Sequence, residues 1–360
     1  MRLLTLALAL PILALTQPLP QRRFLPVPDV GEWKTIKADF HMHTVFSDGV
    51  VWPDTRVYEA WRDGLDAISI TDHDDYHPHK ATVSTDLQHP YALARAAAAQ
   101  LGLLLVPGFE VTKGDLHVNA LFVTDPNATA GKPLLESLRL VKQQGAFLFW
   151  NHPGWKGRLD WYPEIDAAHQ EGLIHGVEVV NSDQLEPQTL AWLEPKKLTI
   201  LSNSDIHQLM ETAPGHHRSP VTLVLARARD LAGIREALEA RRTLAWRQDE
   251  LWGAGHLLTG LFHASLQPSA ALASGSSTAW RIRNTSAIPF QLKLVSAPAW
   301  LKAPPEATLA AEAETAVPLS FTKAKPADAR QAELEWEVLN LHVPTAGNVR
   351  VKMSITLDGR

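Results

Sequence analysis

Short apolar runs rich in branched side chains alternate along the chain with stretches in which apolar residues recur every three or four positions. The runs at 35–43, 67–71, 103–110, 118–124, 146–150, 176–180 and 198–201 predict seven strands. Helical periodicity at 53–63, 91–101, 133–143 and 230–240 predicts helices, the first three between strands and the last after them. Alternation of this kind predicts an α/β fold with parallel strands. Seven strands in this order predict a barrel rather than an open sheet. No Gly-x-Gly-x-x-Gly follows any of them, which argues against a dinucleotide-binding fold.

From about residue 256 the aliphatic helical pattern stops. Short alternating runs at 280–283, 290–295, 316–321, 333–339 and 349–357, set between Ser, Pro and Gly clusters, predict a small antiparallel β-sandwich-like domain. It lacks clustered metal-ligating residues and reads as a packing or oligomerisation module. At the other end, Arg2 precedes an apolar stretch, 3–15, interrupted only by Thr5 and Pro11, with small residues at Ala14 and Thr16. That stretch is shorter than the roughly 18–20 residues that cross a bilayer and has the form of a signal peptide. The expected organisation is a signal peptide over 1–16, a Pro-rich lead over 17–36, a hydrolase barrel over 37–255 and the sandwich over 256–360. The mature chain, beginning near Gln17, is expected to be exported, periplasmic or secreted, with no stable membrane span.

Composition narrows the chemistry. The chain has 360 residues and a net charge of −5, without the basic excess of a nucleic-acid binder. With no Cys and 16 His, disulfides and thiolate chemistry are excluded, and a tightly held metal must sit on His, Asp and Glu. His41 and His43, two apart on a strand, point to one face and can grip one cation. Ser47-Asp48-Gly49 forms a turn that can return a carboxylate over that strand end. Further polar residues fall at successive strand ends: Asp72 and His73, Glu110, His117, His152, and Asp205 with His207. Catalytic residues of barrel enzymes gather at such positions.

In this order, His41-Met42-His43, Ser47-Asp48-Gly49, Thr71-Asp72-His73, Glu110, His117, His152 and Ser204-Asp205-Ile206-His207 resemble the polymerase and histidinol phosphatase (PHP) superfamily of metal-dependent phosphoesterases. The resemblance spans 39–242. The flanking residues, among them Trp150-Asn151-His152-Pro153-Gly154-Trp155, look closest to a secreted bacterial branch that includes organophosphate phosphodiesterases. The resemblance implies a distorted seven-stranded barrel holding three divalent ions. By similarity, His41, His43, Glu110 and Asp205 hold the first. Glu110 bridges to the second, shared with His117 and His152, while Asp48, His73 and His207 hold the third. Many relatives have His at the position of Asp48; the carboxylate adds negative charge, a change towards Mn²⁺ or Fe²⁺, with Zn²⁺ left open.

The implied reaction is hydrolysis of a small-molecule phosphate ester by hydroxide bridging the first two ions, phosphodiesters being favoured over phosphomonoesters. Asp72, His77, His79, His216 and His217 are candidates for protonating the leaving group, and Arg158 and Arg218 for clamping phosphate. Trp155, Trp161 and Tyr162 are expected to wall the ester group, whereas Trp61 and Trp150 fit core packing better. Two competing readings are a metal-dependent amidohydrolase, whose common binuclear form needs a fourth-strand Lys absent from 117–125, and a non-catalytic binding module on a decayed barrel.

Overall fold

The structure, a computed structural model, describes residues 21–157, 160–210, 220–273, 276–326 and 329–359. The expected signal peptide, Arg158, His216, His217 and Arg218 lie outside the described residues. The fold is mixed α/β with six α-helices among the described residues. Lys34–Asp39 runs parallel to Ala67–Ile68, which runs parallel to Leu104–Leu105. On its other side lie three antiparallel strands, Val221–Ala226, Thr243–Arg247 and Glu250–Gly253. A second sheet orders Gly108–Lys113, Leu116–Leu121, Phe147–Trp150 and Gly176–Asn181, with Thr199–Asn203 parallel to the last.

The seven expected strands therefore divide between two sheets, and no closed barrel is present among the described residues. The division occurs inside 103–110, where Pro107, lacking an N–H, separates Leu104–Leu105 in one sheet from Gly108–Lys113 in the other. Two single bridges, Met42 with Ile206 and His73 with Glu110, join the sheets. Every bridge residue is a candidate ligand or the immediate neighbour of one, so the functional side chains gather where the sheets meet.

The helices Pro53–Arg62, His89–Leu101, Leu134–Gln143 and Leu231–Glu239 match the periodicity. Two others, Pro163–Gln170 and Gly255–Ser265, were not expected. The second corrects the reading that helices end at residue 256: Leu257, Leu258, Leu261 and Phe262 are buried on one face. C-terminal strands form at Ser277–Asn284, Phe290–Ser296, Glu314–Phe321, Gln331–Val343 and Gly347–Gly359. They do not all stand apart, because Gln331–Val343 pairs in parallel with Glu250–Gly253 and continues the first sheet. One apolar cluster correspondingly includes Ile68 and Leu223 together with Trp280, Phe290 and Trp336. No helix among the described residues is long and apolar enough to cross a membrane.

Candidate metal centre

Beyond Asp39 the chain continues extended. The amide of His43 donates to Ile206 O at 3.0 Å, and that of Asp205 to His41 O at 2.9 Å. Met42 packs into the core, leaving His41 and His43 on one side with ring centres 5.1 Å apart. The loop that follows folds back so tightly that a Cβ at Gly49 would lie 2.5 Å from the carbonyl carbon of His43, which only glycine avoids. This brings Asp48 over the strand end.

All nine candidate ligands converge. Oδ1 of Asp205 lies 3.1 Å from His41 Nε2 and 3.0 Å from His43 Nε2. Glu110 approaches five imidazoles, with its nearest contacts at 2.8 Å to His73 Nδ1 and 3.0 Å to His117 Nδ1. Oδ1 of Asp48 stands 3.2 Å from His207 Nε2 and 3.6 Å from His73 Nε2. Donor atoms fall into groups within 4.8 Å of one another: His43, Asp48, His73 and His207; His41, His43 and Asp205; His41, Glu110 and His152; His73, Glu110 and His117. His43 thus reaches the Asp48 group as well as the Asp205 group, a placement absent from the expected partition.

The donor set fits divalent ions. Nε2 of His41 and His43, Oε2 of Glu110 and Oδ1 of Asp48 are buried and, although other candidate ligands stand close to each, make no well-directed hydrogen bond, which is costly unless a cation completes them. Four imidazoles have their other nitrogen occupied: His41 Nδ1 by Glu178 at 2.8 Å, His43 by Ser47 Oγ at 3.3 Å, His73 by Thr112 Oγ1 at 2.7 Å and His207 by Asp205 O at 2.7 Å. Nδ1–H donation in each leaves an Nε2 lone pair for the centre, as metal-binding His requires.

Electrostatics agree. Burial opposes charge on every group, yet Asp205, Glu178 and Glu110 raise His41 well above the ordinary imidazole range. His73 is pushed up to about 11 against its burial by Glu110 and Asp48, whereas burial and the facing His207 push His43 down to about 3. Glu110 is held well below the carboxylate range, despite full burial, by His73 and His41. Such a cluster calls for positive charge at its centre.

Other residues support it from behind. Asp39 is fully buried, and desolvation raises it to about 7 although the amides of His41 and Ser204 bond to it. Asn151 Nδ2 donates to Glu110 Oε1 at 2.6 Å. Arg56, buried in the helix Pro53–Arg62, donates to His43 O at 3.0 Å. The sequence singles out none of these, nor Glu178, as a site residue, because no local pattern separates a buried polar side chain from a surface one.

The residues expected to contact substrate are placed differently. Asp72 accepts from Thr44 N at 2.7 Å, Thr44 Oγ1 at 2.6 Å and Ser47 Oγ at 2.6 Å, so both oxygens hold the Asp48 loop. His79 is exposed, and His77 Nδ1 donates to Phe46 O at 2.9 Å. Of the expected aromatic wall only Trp155 faces the centre, its ring 5.2 Å from His117 and 5.4 Å from His152. Trp161 and Tyr162 pack instead around the buried Trp150, and Tyr162 is itself buried. Trp61 is half-buried beside Tyr58.

A solved two-domain protein of Bacteroides vulgatus ATCC 8482, containing a predicted PHP-like metal-dependent phosphoesterase, superposes with a TM-score of 0.86 at 37% identity, covering 93% of this chain and 99% of its own. The chain belongs to the PHP-like metal-dependent phosphoesterases. No protein-family profile matches it, and no curated protein does. A Bifidobacterium adolescentis ATCC 15703 protein whose metal-dependent phosphoesterase activity is itself inferred aligns at 20% identity and a TM-score of 0.42, over 57% of this chain and 96% of its own. An amidohydrolase of Chromobacterium violaceum, with sulfate bound and no metal, aligns at 18% and 0.40, over 58% and 97%. As a PHP-like phosphoesterase, the chain is a metal-dependent hydrolase whose His, Asp and Glu clusters match that requirement.

Proposed function

We propose that this PHP-like protein hydrolyses phosphodiesters at a centre of three divalent ions, Mn²⁺, Zn²⁺ or Fe²⁺. The architecture proposed around that centre is a distorted seven-stranded barrel that stays open between its two sheets, followed by a sandwich-like domain that shares a strand pairing with it. His41, His43, Glu110 and Asp205 would hold the first ion, Glu110, His117 and His152 the second, and Asp48, His73 and His207 the third. The observation that carries the reading is the convergence of buried, unpartnered donor atoms from both sheets on one point. Bound ions supply acidified water and positive charge for the phosphoryl oxygens.

The chain's residues supply the rest. Buried partners fix the imidazoles before substrate arrives, which lowers the reorganisation that reaction requires. Trp155, 47% exposed, and Tyr76, 52% exposed with its ring 6.4 Å from His73, offer apolar faces beside the His117 and His73 sides of the cluster. A diester has a second ester group to place on such a face, and a monoester has none. Lys113, the lysine nearest the fourth-strand segment, pairs with Asp74 at 2.7 Å, which disfavours the amidohydrolase reading. Comparing kcat/KM for an aryl phosphate and the matching aryl alkyl phosphate tests the preference: a diester advantage is expected, and a monoester advantage of about tenfold or more, some 1.4 kcal/mol, reverses it. We also propose export through residues 1–16; N-terminal sequencing of the mature protein should begin near Gln17.

A further inference from the structure

We propose that Glu178 is a positioning residue that dictates which ring nitrogen His41 turns to the metal centre. The inference rests on reading the cluster as a metal centre, and Glu178 belongs to none of its ligand groups. It lies in the strand Gly176–Asn181, fully buried between valines. A carboxylate in such a place needs its lone pairs satisfied. Oε1 accepts from His41 Nδ1 at 2.8 Å and Asn203 Nδ2 at 2.9 Å; Oε2 accepts from the His152 amide at 2.9 Å and Asn181 Nδ2 at 2.9 Å.

Two of these donors cannot turn round without loss. The His152 N–H is backbone, held at a left-handed φ of +29°. Asn203 is oriented by its own Oδ1, which accepts from Phe40 N at 2.9 Å. Four N–H groups therefore face one side chain, and only a carboxylate accepts from all of them. A glutamine fails in either orientation. With its NH₂ towards His152 and Asn181, donor meets donor. With its NH₂ towards His41, Nδ1 must accept, so the ring proton moves to Nε2, the atom that lies 3.1 Å from Asp205 and must stay bare to bind metal. Glu178 in this way sets up two ligands, His41 and His152, from behind.

The test uses the full chain loaded with Zn²⁺, a diamagnetic probe. Imidazole ¹⁵N NMR of the wild type, with His41 assigned by its loss in His41→Asn, should show a protonated Nδ1 and an unprotonated Nε2. In Glu178→Gln the His41 pattern should change and Zn²⁺ affinity should weaken about 10- to 100-fold, while Glu178→Asp, which keeps a carboxylate, should lose less. A Glu178→Gln protein with wild-type affinity and spectrum overturns the role. So does a wild-type spectrum with the proton on Nε2, which decides the matter even if the variants do not fold. A wild type that binds no Zn²⁺ would instead overturn the metal centre itself.

Discussion

Oδ1 of Asp205 lies 3.0 Å from Nε2 of His43, joining the loop after one sheet to the end of a strand in the other. Asp205 makes this contact from a left-handed backbone, φ +53°, a conformation that Asp tolerates better than most residues and that concentrates at functional sites. Its amide bond to His41 O pins the turn.

Glu110 stands at the middle of this arrangement, facing His41, His43, His73, His117 and His152. Glu110→Ala should therefore lose more bound metal and more activity than His73→Ala, whose ring approaches two carboxylates where Glu110 approaches five imidazoles. Elemental analysis of both proteins beside the wild type, expected near three ions per chain, checks this. Equal metal content in the two variants would contradict it.

Asp72→Asn should destabilise the Asp48 loop without removing a ligand. A buried amide NH₂ would replace one acceptor facing Thr44 and Ser47, at a cost of about 1–3 kcal/mol. Denaturant unfolding should report that loss, and metal bound through Asp48 should weaken with it.

Stability should also fall in mild acid through His175, away from the metal centre. Burial and the Lys142 ammonium, 2.7 Å from its Nε2, push His175 down to about 4 from an ordinary 6.5. The unfolded chain then binds the extra proton first, so the contribution is present above pH 6.5 and is lost as pH falls towards 4, up to about 3 kcal/mol. His175→Gln should flatten that part of the profile in denaturant unfolding measured between pH 7 and 4.5. A variant with an unchanged slope would contradict it.

A chain ending at Gly255 should aggregate. Removing 256–360 uncovers the edge of Glu250–Gly253, which Gln331–Val343 otherwise pairs, and opens the apolar cluster around Ile68 and Leu223. Size-exclusion chromatography of the truncated protein should show little monomer; a soluble, metal-binding monomer would show that the first sheet stands alone.

The candidate ligand positions were legible because most of them open or close a predicted strand, as His41 and His43 do in Asp39-Phe40-His41-Met42-His43. What stands behind them was less legible. Glu178 occupies one position in Gly-Val-Glu-Val-Val-Asn, and nothing local tells a buried carboxylate from a surface one. Val221–Ala226 was missed although all six residues are buried; no helical segment separates it from the run 198–201, so the alternation of strand and helix does not mark it. Trp161 and Tyr162 follow His152 closely, but nearness in sequence did not reveal that they turn towards Trp150. The shared sheet across residue 255 depends on a pairing between distant segments that no local pattern encodes.

The most direct measurement is hydrolysis of an aryl phosphodiester by protein stripped with chelator and then reconstituted with Mn²⁺, Zn²⁺ or Fe²⁺, with the matching mono- and triesters alongside. The stripped protein should show no turnover, and activity should recover with at least one metal as bound ions approach three per chain. Turnover that persists undiminished without metal, or none on any of these esters with every metal bound, would contradict it.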